Sequence, residues 1–319
     1  MKNLFIQIIA KDAKSNTYKF ALAKFLLDYS RNKKNIEDSQ ISYKEIATKF
    51  LEYYWFQECK YKFKQDFNKE KMPIVIKLIQ KYCGTEYIPQ TYDKYFSTRK
   101  NIQNQLIQEI ENKCFKDVIP RFQPYKKNIF YEHFHTLVPS KRKFDLPEQN
   151  QRYILLNANT ISFFKDEYEV LSKILILEWA KFLEKTNFTP RLISKIELMK
   201  DPKRNSLNKF KNVLLDMGNR CFYCNKSLEK TQIHIDHFIP WSYIYEDEIW
   251  NLVQACSSCN LIKSDSLPPQ KCIDKIIDRN TKYNLLKWNR DIQEYYNNCN
   301  KAGFKIINID KLECNTLVG

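Results

Sequence analysis

The chain has 319 residues, 43% of them hydrophobic and 14% aromatic, so it can bury one large core or two smaller ones and is not a disordered tail. Lys and Arg outnumber Asp and Glu by 53 to 37, a formal charge of +16. That balance fits a polyanionic partner, with aromatic rings available for unpaired bases. Its longest apolar runs, such as Ile174 to Leu177, fall well short of the ~20 residues of a membrane helix. The N-terminal apolar run breaks at Lys11 with no signal-peptide pattern. The expectation is a cytoplasmic protein without a membrane partner, in which thiols stay reduced.

In chain order, residues 17 to 29 place Phe20, Ala23, Leu26 and Leu27 on one helical face. Ser42 and Glu45 form a capping-box pattern ahead of a helix striped by Ile46, Phe50, Tyr53 and Tyr54. Helices are predicted over 73–82 and 98–115, the second with Ile102, Leu106, Ile110 and Cys114 four residues apart. From 120 to about 160, Pro120, Pro124, Pro139 and Pro147 punctuate a loop-rich or short-strand segment that also carries Lys126, Lys141, Arg142 and Lys143. Here His133 and His135 alternate as on one strand face and read as packing or surface residues. Helical spacing returns over 165–185, and Pro190 can open a further helix. Residues 206–216 lead into a Gly-marked stop at Gly218. After the cysteine region, helices are expected from Pro268 and Pro269 through Ile277, and over 285–298 with Trp288, Ile292, Tyr295 and Tyr296. The last residues, from Gly303, read as strand. The fold class is mainly α with small β elements, α+β. A mostly helical, basic recognition or regulatory region occupies 1–200 and a second domain 201–319.

Two Cys-x-x-Cys pairs, Cys221 with Cys224 and Cys256 with Cys259, are the number and spacing a tetrahedral zinc ion needs. A site of four sulfurs leaves no open position, so it is assigned to stability. Cys59, Cys83, Cys114, Cys272, Cys299 and Cys314 lack such pairing and read as packing residues. The interval between the pairs is too long for a compact finger. It holds His234, Asp236 and His237 on a strand-like segment, an acidic turn from Glu246 to Glu248, and Asn251. Asn260 and the run Lys263, Ser264, Asp265 follow the second pair.

In these residues the stretch from Arg220 to Asp265 resembles the HNH (ββα-metal) endonuclease family. It is most similar to the HNH modules of CRISPR effectors and of zinc-bearing restriction enzymes. The resemblance implies two strands and a helix around one divalent ion. It makes His237 the general base, with Asp236 and Asn260 the ligands of Mg²⁺ or Mn²⁺, and has Asn251 brace the loop between the strands. Asn260 departs from the family's terminal His but keeps an oxygen donor suited to a hard cation. His234, Arg220 and Lys263 are candidate substrate contacts. The function so implied is a metal-dependent DNA endonuclease of restriction or antiphage-defence type, hydrolysing phosphodiester bonds with structural Zn²⁺ and catalytic Mg²⁺ or Mn²⁺. Its partners would be DNA and a second copy or a defence-system protein. The alternatives are a non-cutting zinc-stabilised nucleic-acid-binding regulator, or a nickase or RNA-directed nuclease.

Overall fold

The computed structural model describes all residues except 13, 66–71, 87, 89, 125–126, 199–205, 230–232, 286–290 and 308–319. Lys126, Trp288 and Cys314 lie outside the described residues. The chain divides into two compact units, one of Met1–Asn187 with Leu192–Asp201, the other of Phe188–Arg191 with Pro202–Gly319. The architecture is mainly helical with short antiparallel strands.

In the first unit, α1 (Lys2–Ala10) turns Phe5, Ile8 and Ile9 inward at helical spacing. It was not anticipated, because its nine residues are short for a periodicity signal. The amphipathic α2 (Tyr18–Asn32) follows. Next come β1 (Ser39–Ser42) and α3 (Tyr43–Trp55). The predicted capping box is present at the start of α3: Ser42 Oγ accepts from the Glu45 amide, and the Glu45 carboxylate accepts from the Ser42 amide at 2.9 Å. After α4 (Ile74–Cys83) and α5 (Tyr92–Ser97), the long α6 (Lys100–Phe122) continues through Pro120, where the sequence pointed to a loop. Proline is tolerated because it lies in the last turn, where its missing N–H forfeits a single helical bond. Its neighbours Ile119 and Phe122 are also fully buried.

Short strands then run as β2 (Glu132–His133), β3 (Thr136–Val138), β4 (Lys143–Asp145) and β5 (Tyr153–Leu156). β1, β5 and β2 form an antiparallel sheet in that order, and β3 pairs with β4. The unit closes with α7 (Ala158–Asp166), α8 (Tyr168–Glu184) and α9 (Leu192–Leu198). His135 is a core residue. Its ring stacks on Tyr43 with centroids 5.7 Å apart, and Nδ1 and Nε2 lie 3.1 Å from Tyr43 Oη and 3.2 Å from the Phe115 carbonyl. His133 Nδ1 accepts from the His135 amide. The pair packs, as the sequence indicated.

The second unit contains α10 (Lys211–Asp216), β6 (His234–His237), α11 (Trp241–Ile244), β7 (Leu252–Ala255), α12 (Ser257–Lys263), α13 (Cys272–Lys282) and α14 (Ile292–Lys301). β6 and β7 pair antiparallel with Asp236 opposite Val253 and His237 opposite Leu252. The core beneath them includes Phe238, Ile239, Trp250, Val253, Ile273, Ile276 and Tyr296. Each such side chain contributes about 1.5–3 kcal/mol by leaving water. Of the C-terminal segment expected as strand, residues 308–319 lie outside the described residues, and the described part forms only an isolated bridge: Ile306 bridges in parallel to Leu267, and the Ile307 amide donates to the Leu267 carbonyl at 3.0 Å.

Candidate active site and metal centre

The four paired cysteines converge. The Sγ atoms of Cys221, Cys224, Cys256 and Cys259 all lie within 4.8 Å of one another, and Cys224 and Cys256 are 3.8 Å apart. Sulfurs around a tetrahedral zinc with bonds of about 2.3 Å sit about 3.8 Å from each other, so the cluster is compatible with zinc. All four thiols are free rather than disulfide-bonded. The backbone prepares the site. Cys256 caps α12, its Sγ accepting from the Cys259 amide, and Cys221 Sγ accepts from the Cys256 amide at 3.3 Å. The chain also crosses from one knuckle to the outer edge of β7, where the Phe222 amide donates to the Gln254 carbonyl at 2.8 Å. The cluster therefore fixes the start of α12 and the end of β7 together.

Asp236 and His237 end β6, and both are buried. Asp236 Oδ2 accepts from the Tyr223 hydroxyl at 2.6 Å and pairs with Lys263 Nζ at 3.2 Å. Its Oδ1 makes no hydrogen bond among the described residues. Lys263 is fully buried in the last turn of α12 and also donates to the His237 carbonyl at 2.6 Å. Its ammonium thus ties the helix to the end of the strand and is not exposed to a phosphate. Asn260 stands one turn earlier on the same side of α12, since residues three apart on a helix are neighbours. It is half-buried, and its side chain makes no hydrogen bond among the described residues. Asp236 Oδ1 and the Asn260 amide are thus two oxygen donors without hydrogen-bond partners among the described residues, one at the end of β6 and one on α12. That donor set fits a hard divalent cation that keeps several waters.

His237 Nε2 lies 2.9 Å from Asp247 Oδ1. An ionised carboxylate only accepts, so Nε2 carries a proton, and in the neutral ring Nδ1 is the nitrogen with the free lone pair. The hydrogen bond from His237 holds Asp247 below the ordinary carboxylate range, against its partial burial, with Trp241 helping. The sequence showed an acidic turn without assigning it a task. Each of its carboxylates has a partner: Arg191 Nε donates to Glu246 at 2.9 Å, His237 to Asp247, and Trp250 Nε1 to Glu248 at 3.0 Å. The turn is thus a built support for the histidine.

Asn251 is fully buried. Its Oδ1 accepts from the Ile239 amide at 2.8 Å, its Nδ2 donates to the Ile239 carbonyl at 3.0 Å, and its carbonyl accepts from the Phe238 amide at 2.8 Å. These bonds close the loop between β6 and β7. A second brace was invisible in the sequence. Arg279 of α13 donates to the carbonyls of Leu252, Ile249 and Trp250, and Asn280 Nδ2 donates to the Trp250 carbonyl at 2.9 Å. Burial lowers Arg279 to about 10, which leaves it charged at neutral pH. No local motif marks these residues, because they act on backbone thirty positions away. Of the remaining candidates, His234 is exposed on the strand face that Asp236 shares, and Arg220 is exposed with Nη1 donating to the Asn225 carbonyl at 3.1 Å. Searches among curated proteins and solved structures give no match. The segment that holds both cysteine pairs, the Asp236–His237 strand end, Asn251 and Asn260 does find a family: residues 221–269 match the model for HNH endonucleases.

Proposed function

We propose that this chain is a metal-dependent DNA endonuclease in which His237 is the general base. The observation that carries the reading is the His237–Asp247 pair at the end of β6, inside the segment that matches the HNH endonuclease model. With Nε2–H held by Asp247, Nδ1 is the nitrogen that takes a proton from water as the water oxygen attacks phosphorus. The bond from phosphorus to the leaving sugar oxygen then breaks, and that oxygen takes a proton from solvent. Asp247 orients the ring and stabilises the imidazolium so formed. Asp236 and Asn260 are the ligands for Mg²⁺ or Mn²⁺, which when bound supplies positive charge to the scissile phosphate. Tyr223 and Lys263 fix the Asp236 carboxylate, and Asn251 fixes the loop that follows His237.

The four cysteines hold Zn²⁺ and serve stability, since a closed sulfur site offers no position for substrate. His234 and Arg220, both exposed, are the basic or polar contacts to the nucleic acid. Lys263 acts instead from within. The net charge of +16 supports binding to a polyanion. One such centre cuts one strand, so double-strand cleavage calls for two copies or for sequential nicking. The resemblance to restriction enzymes supports a restriction or antiphage-defence role in the cytoplasm, with the helical first unit recognising DNA, a partner protein or an activating signal. Incubation of the purified chain with plasmid DNA and Mg²⁺ or Mn²⁺ tests the reading: nicked or linear product is expected, and intact plasmid with either ion would refute it.

A further inference from the structure

A cavity of about 410 Å³ lies in the second unit behind the first cysteine knuckle. Its lining includes Arg220, Lys275 and Arg279, with no Asp or Glu among the described residues. Phe222 contributes an apolar wall, and Lys275 Nζ lies 4.8 Å from its ring centroid and donates to its carbonyl, so that this cation has a backbone partner but no carboxylate among the described residues. Gln254 of β7 lines the cavity and is only 9% exposed. Its Nε2 donates to the Gly218 carbonyl at 2.7 Å, which fixes the orientation of the amide. Its Oε1 is then a buried acceptor with no partner among the described residues. A buried orphan of this kind is costly and points to a donor supplied from outside. The contrast with the first unit is informative. A larger cavity there, about 680 Å³, is lined by Lys24, Lys49 and Arg31, but these are already paired with Asp28, Glu52 and Glu169.

We infer that the Gln254 cavity binds a single nucleotide, its phosphate against Arg220 and Lys275, its base beside Phe222, and a base N–H donated to Gln254 Oε1. The volume falls within the roughly 300–1,000 Å³ of small-molecule sites. Cations in the lining, an aromatic wall and one buried acceptor are the elements that recognise a phosphate and a base together. The inference rests on the nuclease reading only for the source of the nucleotide. An unpaired nucleotide of the substrate and a free nucleotide carry the same chemistry.

The test is calorimetric titration of the zinc-loaded full chain, without added Mg²⁺, using dAMP, dCMP, dGMP, dTMP and inorganic phosphate. At least one nucleotide should bind about ten-fold or more tightly than phosphate, because the base N–H satisfies the buried acceptor. Gln254→Met should remove that advantage, while Arg220→Ala, at an exposed residue, should weaken nucleotide and phosphate alike. A duplex with one extrahelical nucleotide, compared with the fully paired duplex, assigns the source: preference for the former means the substrate strand supplies it, and no preference means a free nucleotide does. If no nucleotide exceeds phosphate, or if Gln254→Met folds and keeps the full advantage, the inference fails. These readouts do not involve cleavage, so failure here leaves the nuclease reading to its own assay.

Discussion

The Asp247 carboxylate accepts the Nε2–H of His237 at 2.9 Å from a turn in which Glu246 and Glu248 are held just as specifically. This pair decides which ring nitrogen is basic.

Asp247→Asn should therefore leave a folded chain that cuts poorly. An asparagine can present its amide nitrogen to Nε2 and stabilise the opposite tautomer, with the proton on Nδ1. Loss of such an orienting partner costs roughly 10- to 100-fold in activity. Single-turnover cleavage at saturating and limiting DNA should place the loss in the chemical step, with binding unchanged. Asp247→Glu should recover part of the rate.

Lys263 and Asp236 form a buried ion pair at 3.2 Å, with the lysine fully enclosed. Lys263→Met leaves the Asp236 carboxylate without its cation, and breaking a buried pair from one side costs about 3–5 kcal/mol. Urea unfolding without Mg²⁺ should show this loss. The double variant Lys263→Met/Asp236→Asn should be more stable than the sum of the single changes implies. An additive result would mean that the two groups are not coupled.

His135 supplies a pH dependence in the first unit that is separate from catalysis. Burial, with His133 nearby, lowers it to about 3. Between that value and the ordinary 6.5 the unfolded chain binds a proton that the folded chain does not, so stability falls as pH drops through this window and is undiminished above it. From pH 7.5 to pH 5 the linkage amounts to about 2 kcal/mol. In His135→Gln the acid-induced loss over that range should be smaller by about this amount, read from denaturant midpoints at the two pH values. Equal losses in parent and variant would refute the assignment.

The legibility of the chain followed the range of its interactions. The capping box of Ser42 and Glu45, the helical stripes of α2, α3 and α13, and the two cysteine pairs are local patterns, and each is where its spacing predicted. Pro120 misled because its effect depends on which turn of the helix it occupies, and α6 ends two residues beyond it. Asp247 was visible as an acid in a turn, but its task depends on meeting His237 ten residues away. Arg279 and Asn280 carried no signal, since they bind carbonyls rather than side chains of a recognisable motif. Lys263 read as a substrate contact, whereas the fold encloses it and ties it to the end of β6.

The most direct test compares parent and His237→Ala for plasmid cleavage in Mg²⁺ or Mn²⁺, with zinc content, thermal melting and DNA binding measured on the same preparations. Replacing the base should cost about 10²–10⁴-fold in rate. Zinc content and DNA binding should stay at parental values, because the cysteine cluster and the Asn251 brace do not depend on the imidazole, and melting should remain a single cooperative transition lowered only by the loss of the buried His237–Asp247 hydrogen bond. Cleavage by His237→Ala at the parental rate would contradict the assignment of His237 as the base and the account built on it.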